Sequence, residues 1–148
     1  MCHLVVLQKK DLNKKNMATL TPTLTLTSTD STSDSLSLSV TDTLTVVAPT
    51  VGVSKINATA TGNASIIVPA GTAVSYLYVK HTGTTDGSTA TAQLVDVEFT
   101  ADNIAFSRLA AGEFLFMPFN NAGASDGVQL QVAHASVVQM EYAFFTKG

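Results

Sequence analysis

Between Thr19 and Thr45 every odd-numbered residue is serine or threonine. A two-residue period sustained over this length is the side-chain alternation of extended strands and has no helical reading. The even positions divide into two apolar sets, Leu20, Leu24 and Leu26, then Leu36, Leu38, Val40, Leu44 and Val46, with Ser28, Asp30, Thr32 and Asp34 between them. The pattern predicts two half-buried strands joined by a polar loop. At ~3.3 Å per residue the stretch laid out straight reaches ~90 Å, more than the breadth of a domain of this size, so it folds back as a hairpin or reaches a neighbouring subunit. Pro22 has no amide to donate and belongs at an edge or a bulge in either case. Rows of threonine also mark ice-binding surfaces, but those stack several repeats, and no longer period recurs here.

After Pro49 the apolar runs shorten and recur at the spacing of a β-sandwich: Val51 to Ile56, Ser65 to Val68, Val74 to Thr82, Thr89 to Thr100, Ile104 to Leu109, Glu113 to Phe119, Val128 to Ala133 and Val137 to Thr146. Turn residues separate them, at Pro69-Ala70-Gly71, Gly83 to Gly87, Ala101-Asp102-Asn103, Ala111-Gly112 and Asn120 to Gly123. The predicted architecture is all-β, an antiparallel, jelly-roll-like sandwich over residues 49–148, preceded by an extended Thr/Ser-rich arm over 17–48 and a leader over 1–16. Within Gln93 to Thr100, Val95, Val97 and Phe99 take one face and Asp96 and Glu98 the other, where the carboxylates are expected to face solvent. Phe106, Phe114, Phe116 and Phe119 fall within fourteen residues. Alternation assigns most of these rings to the core, and any left outside are candidate interface anchors, with Phe114, Phe116 and Phe119 singled out.

Composition narrows the class. The 148 residues are 45% hydrophobic and 13% charged, with a net charge of only −3, which excludes a disordered chain and suits one sandwich with its arm. Threonine (21) and serine (13) argue against a helical bundle. Four of the eight basic residues, Lys9, Lys10, Lys14 and Lys15, lie in the first sixteen positions, so the rest of the chain carries 4 basic against 10 acidic groups. A nucleic-acid binder shows the opposite balance. The leader holds no serine or threonine, and Met17 is a candidate natural start. Its largely apolar stretch, Cys2 to Leu7, precedes its lysines, the reverse of a signal peptide, and is too short to span a bilayer. The single cysteine, Cys2, has no intrachain partner, so burial and hydrogen bonding must hold the fold. Asn57-Ala-Thr and Asn63-Ala-Ser match glycosylation acceptors but read as turn residues without a secretory route.

No catalytic constellation emerges. His81 and His134 have no metal-ligand spacing, and a lone histidine on a strand is expected at the surface or core edge. Asp96 and Glu98 lack the further oxygen ligands of a calcium site. There is no Gly-x-Ser-x-Gly elbow and no phosphate-binding glycine loop, and Glu113 is the charged opening of a strand after a turn. The expectation is a protein that is not an enzyme and has no catalytic residues, cofactor or metal.

Four passages carry a resemblance: the opening Met17-Ala-Thr-Leu-Thr-Pro-Thr-Leu-Thr-Leu-Thr-Ser, the strand Tyr76-Leu-Tyr-Val-Lys-His-Thr-Gly, the turn and strand Leu109-Ala-Ala-Gly-Glu-Phe-Leu-Phe-Met-Pro, and the final Val137-Val-Gln-Met-Glu-Tyr-Ala-Phe-Phe. Together they resemble small virion structural proteins of tailed bacteriophages, including marine cyanophages. The resemblance covers residues 17–148 loosely and is one of layout, with no active-site motif. It implies a β-sandwich that decorates or cements a particle, found in the virion and assembled in the host cytoplasm. The resulting expectation is a capsid decoration protein, a homotrimer contacting the major capsid protein, with no nucleic-acid or membrane partner. Its arm, through Leu20, Leu24, Leu26, Leu36, Leu38 and Val40, would reach an adjacent subunit or the major capsid protein. The alternatives are a tail component (tube, baseplate or fibre attachment) and a carbohydrate-binding sandwich, the latter disfavoured by the lack of tryptophan.

Overall fold

A computed structural model describes residues 17–31, 33–47, 52–60, 64–119 and 126–146. The leader with Cys2, the turn at Asn120 to Gly123 and the acceptor Asn63 lie outside them. The chain divides into two compact units, Met1–Ala48 and Pro49–Gly148.

In the first unit the alternating stretch folds back on itself. Strands β1 (Met17–Leu20) and β2 (Thr23–Ser28) pair antiparallel with β4 (Leu44–Val47) and β3 (Leu36–Thr41), respectively. Register is the same on both sides of Pro22, with Leu20 opposite Leu44 and Thr23 opposite Thr41, so the two ladders form one ribbon. The interruption has a chemical cause. Asp42 N–H donates to Pro22 O at 3.1 Å, but Pro22 has no N–H to return, so half of one hydrogen-bonded pair is missing. That pair also sets the geometry of the faces. Even-numbered residues occupy the hydrogen-bonded pairs, which leaves the odd-numbered hydroxyls in the closer pairs. Accordingly Thr23 Oγ1 and Thr41 Oγ1 are 3.0 Å apart. At the tip, Ser28 Oγ accepts from the Ser31 amide at 3.0 Å and donates to Asp30 Oδ1 at 3.0 Å.

The second unit is one strongly curved eight-stranded sheet. Its strands are β5 (Ser54–Ala60), β6 (Ser65–Val68), β7 (Tyr76–His81), β8 (Val95–Phe99), β9 (Ala105–Leu109), β10 (Phe114–Pro118), β11 (Val128–Val132) and β12 (Val138–Phe145). The order is β10-β7-β12-β5-β11-β8-β9, with β6 also on β11. The sheet nearly closes into a barrel. Phe119, just past β10, meets Phe106 of β9 with ring centroids 5.8 Å apart, which brings the two ends of the strand order together. Inward residues alternate along the longer strands and make one continuous core: Leu77 and Val79 of β7, Val95 and Val97 of β8, Leu130 of β11 and Met140 of β12 among them.

The all-β expectation holds, and the purely antiparallel one is corrected. β5 runs parallel to β11, with Gln131 opposite Thr59 and Val132 opposite Ala60. β5 is antiparallel to β12 from Ser54 to Ala58 and meets β11 only at its last two residues, after which β6 returns antiparallel along the start of β11.

A second correction concerns Thr89 to Leu94, expected as the beginning of a strand. These residues are the returning limb of a loop that starts at Gly83. Thr85 N–H donates to Thr89 O and Thr91 N–H to Gly83 O, both at 2.9 Å, and β8 begins only at Val95. A third correction is Asn57-Ala-Thr, read as turn residues, which lies inside β5 with Asn57 opposite Gln139; the turns at Gly71 and Gly112 are as read. Gly71 (φ 77°) and Gly112 (φ 84°) each take the third place of a turn closed by a backbone hydrogen bond, Thr72 N–H to Pro69 O and Glu113 N–H to Ala110 O.

Candidate functional site

Two exposed apolar surfaces stand out, one on each unit. On the ribbon, pairing places Leu24 opposite Val40 and Leu26 opposite Leu38, so all four lie on one face, each 41–53% exposed. Leu20 and Leu36, also expected in the arm's contact set, are on the same face and half-buried. The other face is entirely hydroxyl across β1 to β4 apart from its Met17–Val47 end. The ribbon is therefore an amphipathic two-stranded sheet with its central apolar residues facing water.

On the barrel, the outward residues of β10, β7 and β12 form an aromatic patch. Phe116 lies opposite Tyr78, which lies opposite Ala143; Pro118 lies opposite Tyr76, which lies opposite Phe145. Tyr76 and Phe116 are parallel to within 5° with centroids 6.1 Å apart, and Phe114 is 62% exposed one step along the strand. A charged row borders the patch: Lys80, opposite both Phe114 and Glu141, and Lys55, 3.7 Å from Glu141. Burial, and secondarily the charge of Glu141, raises the Tyr78 hydroxyl above its ordinary pKa, so it stays protonated and able to donate. Of the three rings singled out from sequence, Phe114 and Phe116 are on this surface. Phe119 is not: it is buried against Phe99 and Phe106. It continues the inward alternation of Leu115 and Met117 past the end of β10, the face opposite to Phe114 and Phe116, and closes the seam of the barrel.

Two polar residues are buried against expectation. His81 is fully buried, not at the core edge. Its Nδ1 accepts from the Gly83 amide and its Nε2 is on Gln93 O, both at 2.9 Å, which makes Nε2 the protonated nitrogen. The ring thus ties both limbs of the loop from Gly83 to Gln93 to β7. Replacing His81 with leucine leaves the Gly83 donor and the Gln93 acceptor without a partner, with an expected loss of about 2 kcal/mol in urea unfolding.

Glu98 is the other correction, buried where solvent was expected. Gln129 on the adjoining β11 donates through Nε2 to Glu98 Oε2 at 3.1 Å and to Asn103 Oδ1 at 2.8 Å, and Asn103 sits in the turn following β8 with φ 57°. That turn and Gln129 cover the outward carboxylate. Asp96 keeps to the outer face, in a bidentate pair with Arg108 across the β8–β9 ladder. Glu113, read as the opening of a strand, caps the preceding turn, with Oε2 accepting from the Ala110 amide at 2.8 Å.

The loop carries one strongly stabilised carboxylate. Asp86 Oδ1 accepts from the Ser88 and Thr89 amides at 2.9 and 2.7 Å and from the Ser88 hydroxyl, while Oδ2 accepts from the Thr89 hydroxyl. These bonds, those of the backbone first, hold Asp86 far below its ordinary 3.8. A depressed carboxylate contributes stability at pH above its unfolded value and loses it as pH falls through the folded one. In an NMR titration the Ser88 and Thr89 amide signals should hold still through pH 3.8 and shift only at lower pH.

Among the described residues no three histidine, cysteine, aspartate or glutamate side chains are grouped to hold a metal, and no helix is long and apolar enough to cross a membrane. The chain matches no family model, no curated protein and no solved structure.

Proposed function

We propose that this chain is a non-enzymatic structural protein of a tailed-phage particle, a decoration or cement protein of the head shell, whose curved sheet is a jelly-roll-like sandwich. The observation that carries the reading is the ribbon. An isolated two-stranded hairpin is marginal in water, and one that turns Leu24, Leu26, Leu38 and Val40 outward needs a partner to cover them. A shell supplies such partners in the major capsid protein and in copies of the same chain. The Phe114–Phe116 patch offers the second contact a cementing subunit needs, since it must hold two neighbours at once.

Quantitative mass spectrometry of purified particles separated into heads and tails tests the proposal. Copies in proportion to the major capsid protein support it. A few copies confined to tails favour a tail component, and absence from both overturns a virion role. One observation favours a second reading, carbohydrate binding: the parallel rings of Tyr76 and Phe116, bordered by Lys80 and Glu141, combine a flat apolar platform with hydrogen-bonding groups. Binding of isolated protein to a glycan array, lost in Phe116→Ala, would replace the first reading with this one.

A further inference from the structure

We infer that the β1–β2 edge of the ribbon is a strand-addition site, which takes an extended, uncharged segment of a partner polypeptide as a third strand. Parity decides which backbone groups are free for this. Even-numbered residues spend their N–H and C=O groups on the hydrogen-bonded pairs inside the ribbon, so those of the odd-numbered residues point outward along its two edges. On the β1–β2 side these belong to Thr19, Thr21, Thr23, Thr25 and Thr27, all exposed, and their amides have no hydrogen-bond partner among the described residues. Pro22 is even-numbered, so the donor it lacks falls inside the ribbon and the outer row is unbroken. At ~3.3 Å per residue the row from Thr19 to Thr27 is ~30 Å long, room for a strand of ordinary length.

Edges that must stay unpaired are protected by charge, proline, bulges or shortness. Such protection is present elsewhere in the molecule. On the opposite edge of the ribbon, Asp42 Oδ1 accepts from the outward Thr43 amide at 2.7 Å, which occupies that donor and sets a carboxylate at the middle of the β3–β4 edge. In the barrel the terminal strands β9 and β10 have five residues each, with Arg108 on the first and Pro118 closing the second. The β1–β2 edge has none of these devices. No ionisable residue lies between Thr19 and Ser28, no register shift interrupts either ladder, and no proline occupies an outward position.

The row itself selects the partner. Alternating outward donors and acceptors are matched by another extended backbone, whereas a helix has spent its own backbone groups internally. Side chains of the added strand stand beside the threonine hydroxyls on one face and beside Leu20, Leu24 and Leu26 on the other. Cross-strand pairing of like with like therefore asks for hydroxyl or β-branched residues alternating with aliphatic ones, and a charge on the added strand finds no counter-charge on this edge. The site does not depend on the particle reading and is tested on the isolated chain.

The probe is a synthetic peptide with the sequence of Thr19 to Thr27, flanked by lysines for solubility. Laid antiparallel on the edge with its centre at Thr23, it sets threonine beside threonine and apolar residue beside apolar residue. It is added at millimolar concentration to the full-length chain, and amide hydrogen exchange is followed by NMR. The expected result is a several-fold slowing at Thr19, Thr21, Thr23, Thr25 and Thr27, with Ser37, Ser39 and Thr45 unchanged. The same peptide N-methylated at its threonines keeps every side chain but loses the inward donors, and should slow none of them. In the protein, Thr25→Pro removes one outward donor without touching the internal ladder. The amides of Leu24, Leu26, Leu38 and Val40 should stay protected in this variant while the peptide no longer binds. No slowing, slowing on the β3–β4 edge, an N-methylated peptide as effective as the parent, or undiminished binding to Thr25→Pro overturns the inference.

Discussion

A chain lacking residues 18–47 is expected to fold as a soluble body that no longer enters particles. The continuous buried cluster of the second unit runs from Ala58 to Met140, and the side chains packed around it, Ile56, Phe99, Phe106, Leu115, Met117, Tyr142 and Phe144, are all its own. Calorimetry should therefore place the unfolding midpoint of the truncated chain within about 5 °C of the full chain, the shift of roughly 1 kcal/mol in a domain of this size. Particle incorporation, measured by mass spectrometry after assembly with the truncated chain, should fall to background. Normal incorporation would show that the ribbon is dispensable and move the contact to the Phe114–Phe116 patch.

The largest stability loss expected from one substitution comes from Gly127→Ala. A Cβ at this position would sit 2.2 Å from Val68 O, 2.9 Å from Ala70 N and 3.0 Å from the Pro69 carbonyl carbon, all backbone atoms that cannot rotate away. The chain is held there from the other side as well: Gly127 N–H donates to Thr100 Oγ1 at 2.8 Å, and Gly127 O accepts from the Thr100 amide at 3.2 Å. Relief would require moving the turn after β6 away from the start of β11, where the register already shifts between Val128 and Gln129. The expected cost is about 3 kcal/mol, at the upper end for overpacking, read as a lower urea midpoint. Gly52→Ala is the control, because a Cβ there meets nothing within 4 Å, and it should change stability by less than ~0.5 kcal/mol.

The ribbon was the most legible part of this protein. Its period of two assigns each residue between Thr19 and Thr45 to a face, and the polar break at Ser28 to Asp34 marks where it turns back. Pro22 was legible as an irregularity, though not as a missing half-pair inside one continuous register. Strands β6 and β9 and the glycine turns were equally readable, because turn type depends on a few adjacent residues. The aromatic patch was half visible: alternation puts Phe114 and Phe116 on one side of β10, but that Tyr76, Tyr78 and Phe145 join them follows from which strands lie beside it.

Local sequence determined the strand periodicity, the faces of each strand and the sites of most turns, since these depend on residues within a few positions of one another. Tertiary structure alone decided the pairing. β9 and β10 are joined by only four residues, yet they separate to opposite ends of the strand order. The turn between them is drawn onto β7 by Gly112 N–H on His81 O and by His81 N–H on Glu113 O, so β10 extends β7 while β9 stays on β8. The parallel contact of β5 with β11 and the burial of Glu98 have the same origin, whereas His81 and Phe119 follow the inward alternation of Leu77 and Val79 and of Leu115 and Met117. Alternation says that a strand has two faces, but what covers each face is set by residues distant in the chain, and no local pattern encodes them.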